Sequence, residues 1–231
     1  MLRNHSRSKK YEIDMCSGPL TGKLVVFAVP LMLSGILQLL FNAADIVVVG
    51  RFAGNHALAA VGATRSLINH LVNLFMGLSV GANVLVARFY GGNQEREIGE
   101  TVHTAVLTAA AGGLLLAVIG FFLSRPLLAM MGTPEDVLDY SVLYMRIYFA
   151  GMPVMLLYNY GSSILRAVGD TKRPLYYLTA AGVVNVILNL IFVIYFHMGV
   201  AGVALATVIS QVISAALIIR CLMRSEGSYR L

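Results

Sequence analysis

The sequence predicts an all-α, polytopic membrane protein with six transmembrane helices, and three observations carry that reading. Of its 231 residues, 58% are hydrophobic and only 12% charged, where soluble domains carry roughly 25% charged residues. Mean hydropathy is +0.78. The apolar residues gather into six runs, near 24–50, 66–88, 101–123, 136–165, 174–196 and 199–222, with the charges clustered between them. Each run is at least as long as the roughly 20 residues that cross a bilayer. The net charge of +6 sits at the expected membrane edges, so it speaks for lipid headgroups rather than nucleic acid.

Residues 1–23 are basic and polar and read as a cytoplasmic N-terminal tail; 224–231 form a C-terminal tail. The first run, 24–50, is apolar except for a few polar side chains and one carboxylate, Asp45. A charge at the centre of a span costs about 2.5–3.5 kcal/mol on insertion scales, and less near its end, where Asp45 lies. Counting back from Asp45 at helical spacing gives Asn42, Gln38 and Ser34, so four polar side chains share one face. Pro30 removes one backbone hydrogen bond and predicts a bend in the first third of the helix.

The second run carries Gly77 and Gly81, a GxxxG pair that predicts close helix approach in lipid. The third is chemically quiet. Before the fourth, Thr133 has the chemistry of an N-cap and Pro134 suits the first helical position. That fourth run bears a second stripe, Tyr140, Tyr144, Tyr148, Gly151, Met155, Asn159 and Ser162, interrupted by Pro153, a further expected bend. Two readings of the stripe stay open: a tyrosine-lined packing face, or one wall of a cavity for aromatic or cationic molecules.

Residues 166–174 make a compact turn in which Gly169 suits a helix C-terminus and Pro174 the start of the next helix, with Arg166 at its entry. The fifth run places Asn185 and Asn189 four residues apart on one face, two amides that need partners near mid-membrane. In the sixth, Gly199, Gly202, Ala206, Ser210 and Ser214 form a small-residue packing face.

Six spans put four of the inter-run segments on one side, and these hold thirteen of the seventeen Lys and Arg residues against three on the other. The positive-inside rule then places both termini in the cytoplasm. Cys16 and Cys221 read as reduced, unpaired thiols. No Ser/His/Asp, paired-acid or metal-ligand constellation falls at membrane depth, which argues against an enzyme.

Five stretches together carry a resemblance. They are Pro30 with Asp45-Ile46-Val47-Val48-Val49-Gly50 and Leu58-Ala59-Ala60-Val61-Gly62; Gly77-Leu78-Ser79-Val80-Gly81 through Gly91-Gly92-Asn93; residues 165–174; Asn185-Val186-Ile187-Leu188-Asn189; and residues 199–207. In that order, on those helices, they resemble the multidrug and toxic compound extrusion (MATE) transporters over residues 18–224. The resemblance implies twelve helices in two lobes around a central cavity, of which this chain corresponds to the N-terminal lobe. It implies cation-coupling residues at Asp45, Asn159, Ser162, Asn185 and Asn189, with no cofactor and no metal beyond Na+ at Asp45. The family often has an aspartate where this chain has Asn189, which leaves Asp45 the only acid in the lobe's membrane interior. A cavity wall is expected at Ser34, Gln38, Asn42, Tyr144, Tyr148 and Met155, and structural roles at Pro30, Gly77, Gly81, Pro153, Arg166, Gly169 and Pro174.

The implied function is H+- or Na+-coupled antiport that exports small organic, often cationic, compounds across the plasma (bacterial inner) membrane by alternating access. A second six-helix lobe, or a second copy of the chain, is the implied partner. A lipid-linked oligosaccharide flippase of the same superfamily would want a more basic cavity than this lobe offers, and an inactive half-transporter is the third reading.

Overall fold

A bilayer supplies no partner for a bare peptide group, so each apolar run must satisfy its own backbone as a helix. The computed structural model describes residues 11–13, 20–225, 227 and 229–231. Among the described residues seven α-helices follow one another: α1 (Leu20–Val48), α2 (Asn55–Gly91), α3 (Glu95–Met130), α4 (Glu135–Ala150), α5 (Met152–Ala167), α6 (Lys172–Leu190) and α7 (Gly199–Met223). Short π-helical turns, Val49–Ala53 and Ile191–Tyr195, extend α1 and α6. Five of these segments are long and apolar enough to cross a membrane singly, and α4 with α5, bent by 48° at Gly151, makes a sixth span.

The bend sits where the sequence places it. Pro153 is the second residue of α5 and has no N–H to carry the hydrogen-bond ladder across the break. Pro30 acts differently, for α1 runs through it as one continuous helix. Ser34 donates to the Pro30 carbonyl at 2.8 Å, a bond within the helix's own backbone. The fourth span also starts differently from expectation. Its cap is Pro134 rather than Thr133, no side chain closes the cap, and Glu135 and Asp136 complement the helix N-terminus by charge alone. Pro174 likewise lies inside the first turn of α6, which begins at Lys172.

The broken span forms the middle of the bundle. α5 packs against α2, α3 and α7, and α4 against α2, α3 and α7, whereas α1 rests chiefly on α6. Only 11% of the most apolar stretch of α1 is buried, against 44% for α7, so α1 is an edge helix. Its contact with α6 depends on Gly182, where a Cβ would run into the Phe41 ring. Gly120 of α3 likewise makes room for the buried Phe149 ring of α4. Gly77 and Gly81 are a correction: the space beside each is open, so the close packing expected of that GxxxG pair is not made within this chain. α2 and α5 are joined instead by polar bonds. Asn83 donates to the Ser163 carbonyl at 2.7 Å, and the Ser163 hydroxyl donates to the Ser79 carbonyl at 2.9 Å.

The α5–α6 turn is a tie point. Gly169 has φ +88°; its N–H bonds Arg166 O at 3.0 Å and that of Asp170 bonds Leu165 O at 2.9 Å, a Schellman closure that glycine makes without strain. Asp170 is fully buried, with its carboxylate 3.1 Å from Arg173 Nε. Burial pushes the Asp170 carboxyl above its usual range, and the Arg173 backbone N–H and charge pull it back. The Arg173 guanidinium also stacks on the Tyr11 ring at 4.8 Å and donates to Cys221 Sγ at 3.4 Å. Glu12 accepts from Tyr90 at the end of α2 and from Tyr229 beyond α7. Cys221 is a free thiol; Cys16 and most of the N-terminal tail lie outside the described residues.

These contacts predict an asymmetric response to glycine substitution. Gly182→Leu displaces Phe41 and destabilises the chain by about 1–3 kcal/mol, the usual range for overpacking, whereas Gly77→Ala leaves stability unchanged. Thermal unfolding of the two variants in detergent measures this, and equal melting temperatures would remove the α1–α6 contact from the account.

Candidate functional site

The polar groups of α1, α6 and α7 meet where α1 and α6 give way to their π-helical turns. Asp45 lies in the last turn of α1, half-buried. Asn185 and Asn189, one helical turn apart, point from α6 into the interior and are 5% and 0% exposed. Asn189 Nδ2 donates both to Asp45 Oδ1 and, at 3.3 Å, to Asn185 Oδ1. Asn185 Nδ2 in turn approaches Thr207 Oγ1 of α7 at 3.5 Å, and that hydroxyl donates to the Val203 carbonyl at 3.0 Å. The result is a polar line across three helices, anchored at one end by a carboxylate. The local π geometry on both sides is of a kind that recurs at functional positions.

The line leaves one group open. Asn189 Oδ1 is buried and no hydrogen bond reaches it. An ionised carboxylate only accepts hydrogen bonds, whereas a protonated one has an O–H to give. A proton on Asp45 therefore finds an unused acceptor on the same amide that now donates to it. The oxygens of Asp45, Asn185, Asn189 and Thr207 are also the hard donors that suit a cation such as Na+.

On α4, Tyr144 and Tyr148 stack at 6.0 Å with their planes 30° apart, and the Tyr148 hydroxyl meets Met155 Sδ at 3.7 Å. The charges of Asp45 and Arg65 both reach these tyrosines, and that of Arg65 also reaches Asp45. So Asp45, Asn185 and Asn189 come together among the expected coupling residues, and Tyr144, Tyr148 and Met155 come together among the expected cavity residues. The others make no hydrogen bond to the Asp45, Asn185 and Asn189 line among the described residues. Asn159 donates to Met155 O of its own helix at 3.0 Å, and Ser162 is buried within α5. Ser34 is spent on Pro30, Gln38 is exposed, and Asn42 is half-buried.

Two site residues were missed by sequence reasoning. Thr207 was given no role of its own, since the sixth run was read as a packing face of Gly199, Gly202, Ala206, Ser210 and Ser214. Arg65 was counted as a loop charge because the apolar run begins at 66. The signal for Arg65 was present: Ala57, Ala60, Val61, Thr64 and Ile68 keep helical spacing straight through it, and all five are buried in α2.

A double-mutant cycle tests the central contact. Asp45→Asn and Asn189→Ala, alone and together, are expected to show a coupling of about 0.5–3 kcal/mol in thermal unfolding, as residues in one hydrogen-bond network do; strictly additive effects would remove the bond.

A family model described as MatE matches residues 30–191. The chain is 36% identical over 191 residues to the probable multidrug resistance protein YoeA of Bacillus subtilis (strain 168), covering 81% of this chain and 41% of that protein. It is 30% identical over 198 residues to the probable multidrug resistance protein YpnP of the same organism, covering 86% and 44%. A crystal structure of MATE in the bent conformation superposes with a TM-score of 0.86 at 26% identity, covering 93% of this chain and 48% of that one. The chain thus spans about half the length of the relatives it matches. It belongs to the MatE family of transporters.

Proposed function

We propose that this chain is one six-helix lobe of a cation-coupled antiporter that exports small organic, often cationic, compounds by alternating access. The observation that carries the reading is the contact between Asp45 and Asn189, a single intramembrane carboxylate held by a buried amide that has an unused oxygen. An ionisable residue at membrane depth is costly and marks an ion or substrate path. In the ionised state Asp45 accepts from Asn189 and attracts a cation. Taking up a proton or Na+ neutralises its charge and changes its bond to Asn189, a protonated Asp45 turning to the unused Oδ1, so that the joint between α1 and α6 is rearranged. Since α1 is the least buried span, it is the element such a change moves most easily.

The second lobe is proposed on length, because the structural relative is about twice as long as this chain. The distribution of Lys and Arg supports cytoplasmic termini. Tyr144 and Tyr148 stack on one another within electrostatic reach of the acid, and aromatic rings attract cations.

Asp45→Asn keeps the shape of the side chain and removes its charge. Drug efflux from whole cells is expected to be abolished while the protein remains in the membrane in normal amount. Efflux that survives the change would exclude the coupling role. In vesicles, a proton gradient or a Na+ gradient applied separately identifies the coupling ion by which one drives export.

A further inference from the structure

The two ends of the described chain meet at the α5–α6 turn. Beyond α7 the chain doubles back on its own helix: the Arg230 N–H donates to Gly227 O at 3.0 Å, and that of Leu231 to Leu222 O at 3.4 Å. Tyr229 lies in this turn and is 1% exposed. Its hydroxyl donates to Glu12 Oε1 at 2.6 Å, a bond between residues 217 apart in sequence. Tyr90, in the last turn of α2, donates to Glu12 Oε2 at 3.0 Å. One carboxylate thus takes a phenol on each oxygen, and hydrogen bonds to an ionised acceptor are roughly twice as strong as neutral ones.

The residues on either side of Glu12 hold it to the turn. The Ile13 N–H donates to Gly169 O at 3.3 Å. A Cβ at Gly169 would stand 2.6 Å from Ile13 O and 2.9 Å from Ile13 N. Glycine is therefore required there twice, for its φ of +88° and for the backbone that lies against it. On the other side of Glu12, the Tyr11 ring stacks on the Arg173 guanidinium at 4.8 Å. The Arg173 side chain is 15% exposed and is held by Asp170 at 3.1 Å and by Cys221 Sγ at 3.4 Å. Arg173 therefore bridges the Tyr11 ring and the partly buried thiol of α7.

Tyr11, Glu12 and Ile13 belong to no helix, so these contacts to other parts of the chain, and not a backbone ladder of their own, fix them where they are. We propose that Tyr11–Ile13 is a strap, pinned at Glu12, that locks the segment beyond α7 to the end of α2 and to the α5–α6 turn and, through Arg173, shields Cys221. Glu12 is also its point of release. Without that carboxylate, Tyr90 and Tyr229 lose their shared acceptor together, and Tyr11 is free to lift from Arg173. All of these contacts lie within this one chain and away from Asp45, so the strap does not depend on the transport reading.

The chain carries its own reporter. It has two cysteines, and Cys16→Ser leaves Cys221 the only thiol. In that background, the rate at which N-ethylmaleimide labels the full chain in phosphatidylcholine nanodiscs reads the opening of the strap. Glu12→Ala is expected to speed labelling about tenfold, and Tyr229→Phe, which keeps the ring and removes one hydroxyl, about fivefold. The double variant is expected to label no faster than Glu12→Ala alone, because the missing hydroxyl has no acceptor left to lose. Gly182→Leu, which disturbs the distant α1–α6 contact, is expected to leave the rate unchanged. The proposal is overturned if Glu12→Ala and Tyr229→Phe both label at the parent rate or if their effects multiply in the double variant. It is equally overturned if Gly182→Leu speeds labelling as much as Glu12→Ala, since the thiol would then report loosening of the whole bundle.

Discussion

Lipid offers a polar side chain no hydrogen bond, and that constraint sorts every hydroxyl, amide and acid in this chain. Most solve it locally. Ser34, Thr64, Thr108 and Ser214 each bond the carbonyl four residues back in their own helix, which satisfies the hydroxyl and ties nothing together. Other side chains reach across helices, and three such links lie inside the bundle. Asn83 and Ser163 join α2 to α5; Asn185 and Thr207 join α6 to α7; Asp45 and Asn189 join α1 to α6. Apolar packing in lipid has no hydrophobic drive of its own, so these cross-links carry specificity that a soluble protein would draw from its core.

The number of spans and the bend in the fourth were legible because they follow from length, hydropathy and one proline. The pairing of Asn185 with Asn189 was legible for the same kind of reason, a helical repeat of two costly side chains. Gly77 and Gly81 show where such reading fails. A GxxxG pattern states that a helix can be approached closely there, not that anything approaches it. The glycines that are crowded, Gly120 and Gly182, are isolated in sequence, and only the position of Phe149 and Phe41 in space reveals them. Hydropathy windows hid Arg65 by the same logic, since a polar residue ends an apolar run whether or not it ends the helix. Thr207 was hidden among small residues, its partner Asn185 being 22 residues back in another helix.

Cross-links of this kind are unevenly distributed, and the unevenness has a consequence for motion. The α5–α6 turn is held by a Schellman closure, the Asp170–Arg173 pair, the Tyr11 ring and the Ile13–Gly169 backbone bond at 3.3 Å. α1, in contrast, is exposed over most of its length and rests on α6 at the Phe41–Gly182 contact and the Asp45–Asn189 bond. One of those two contacts is steric and indifferent to ions. The other changes character with a single charge. In the proposed mechanism, occupancy of Asp45 therefore acts on the one span that little else restrains, and the well-tied end of the bundle stays as the frame against which it moves. Coupling in this lobe then needs no long pathway, because the titrating group is itself the joint.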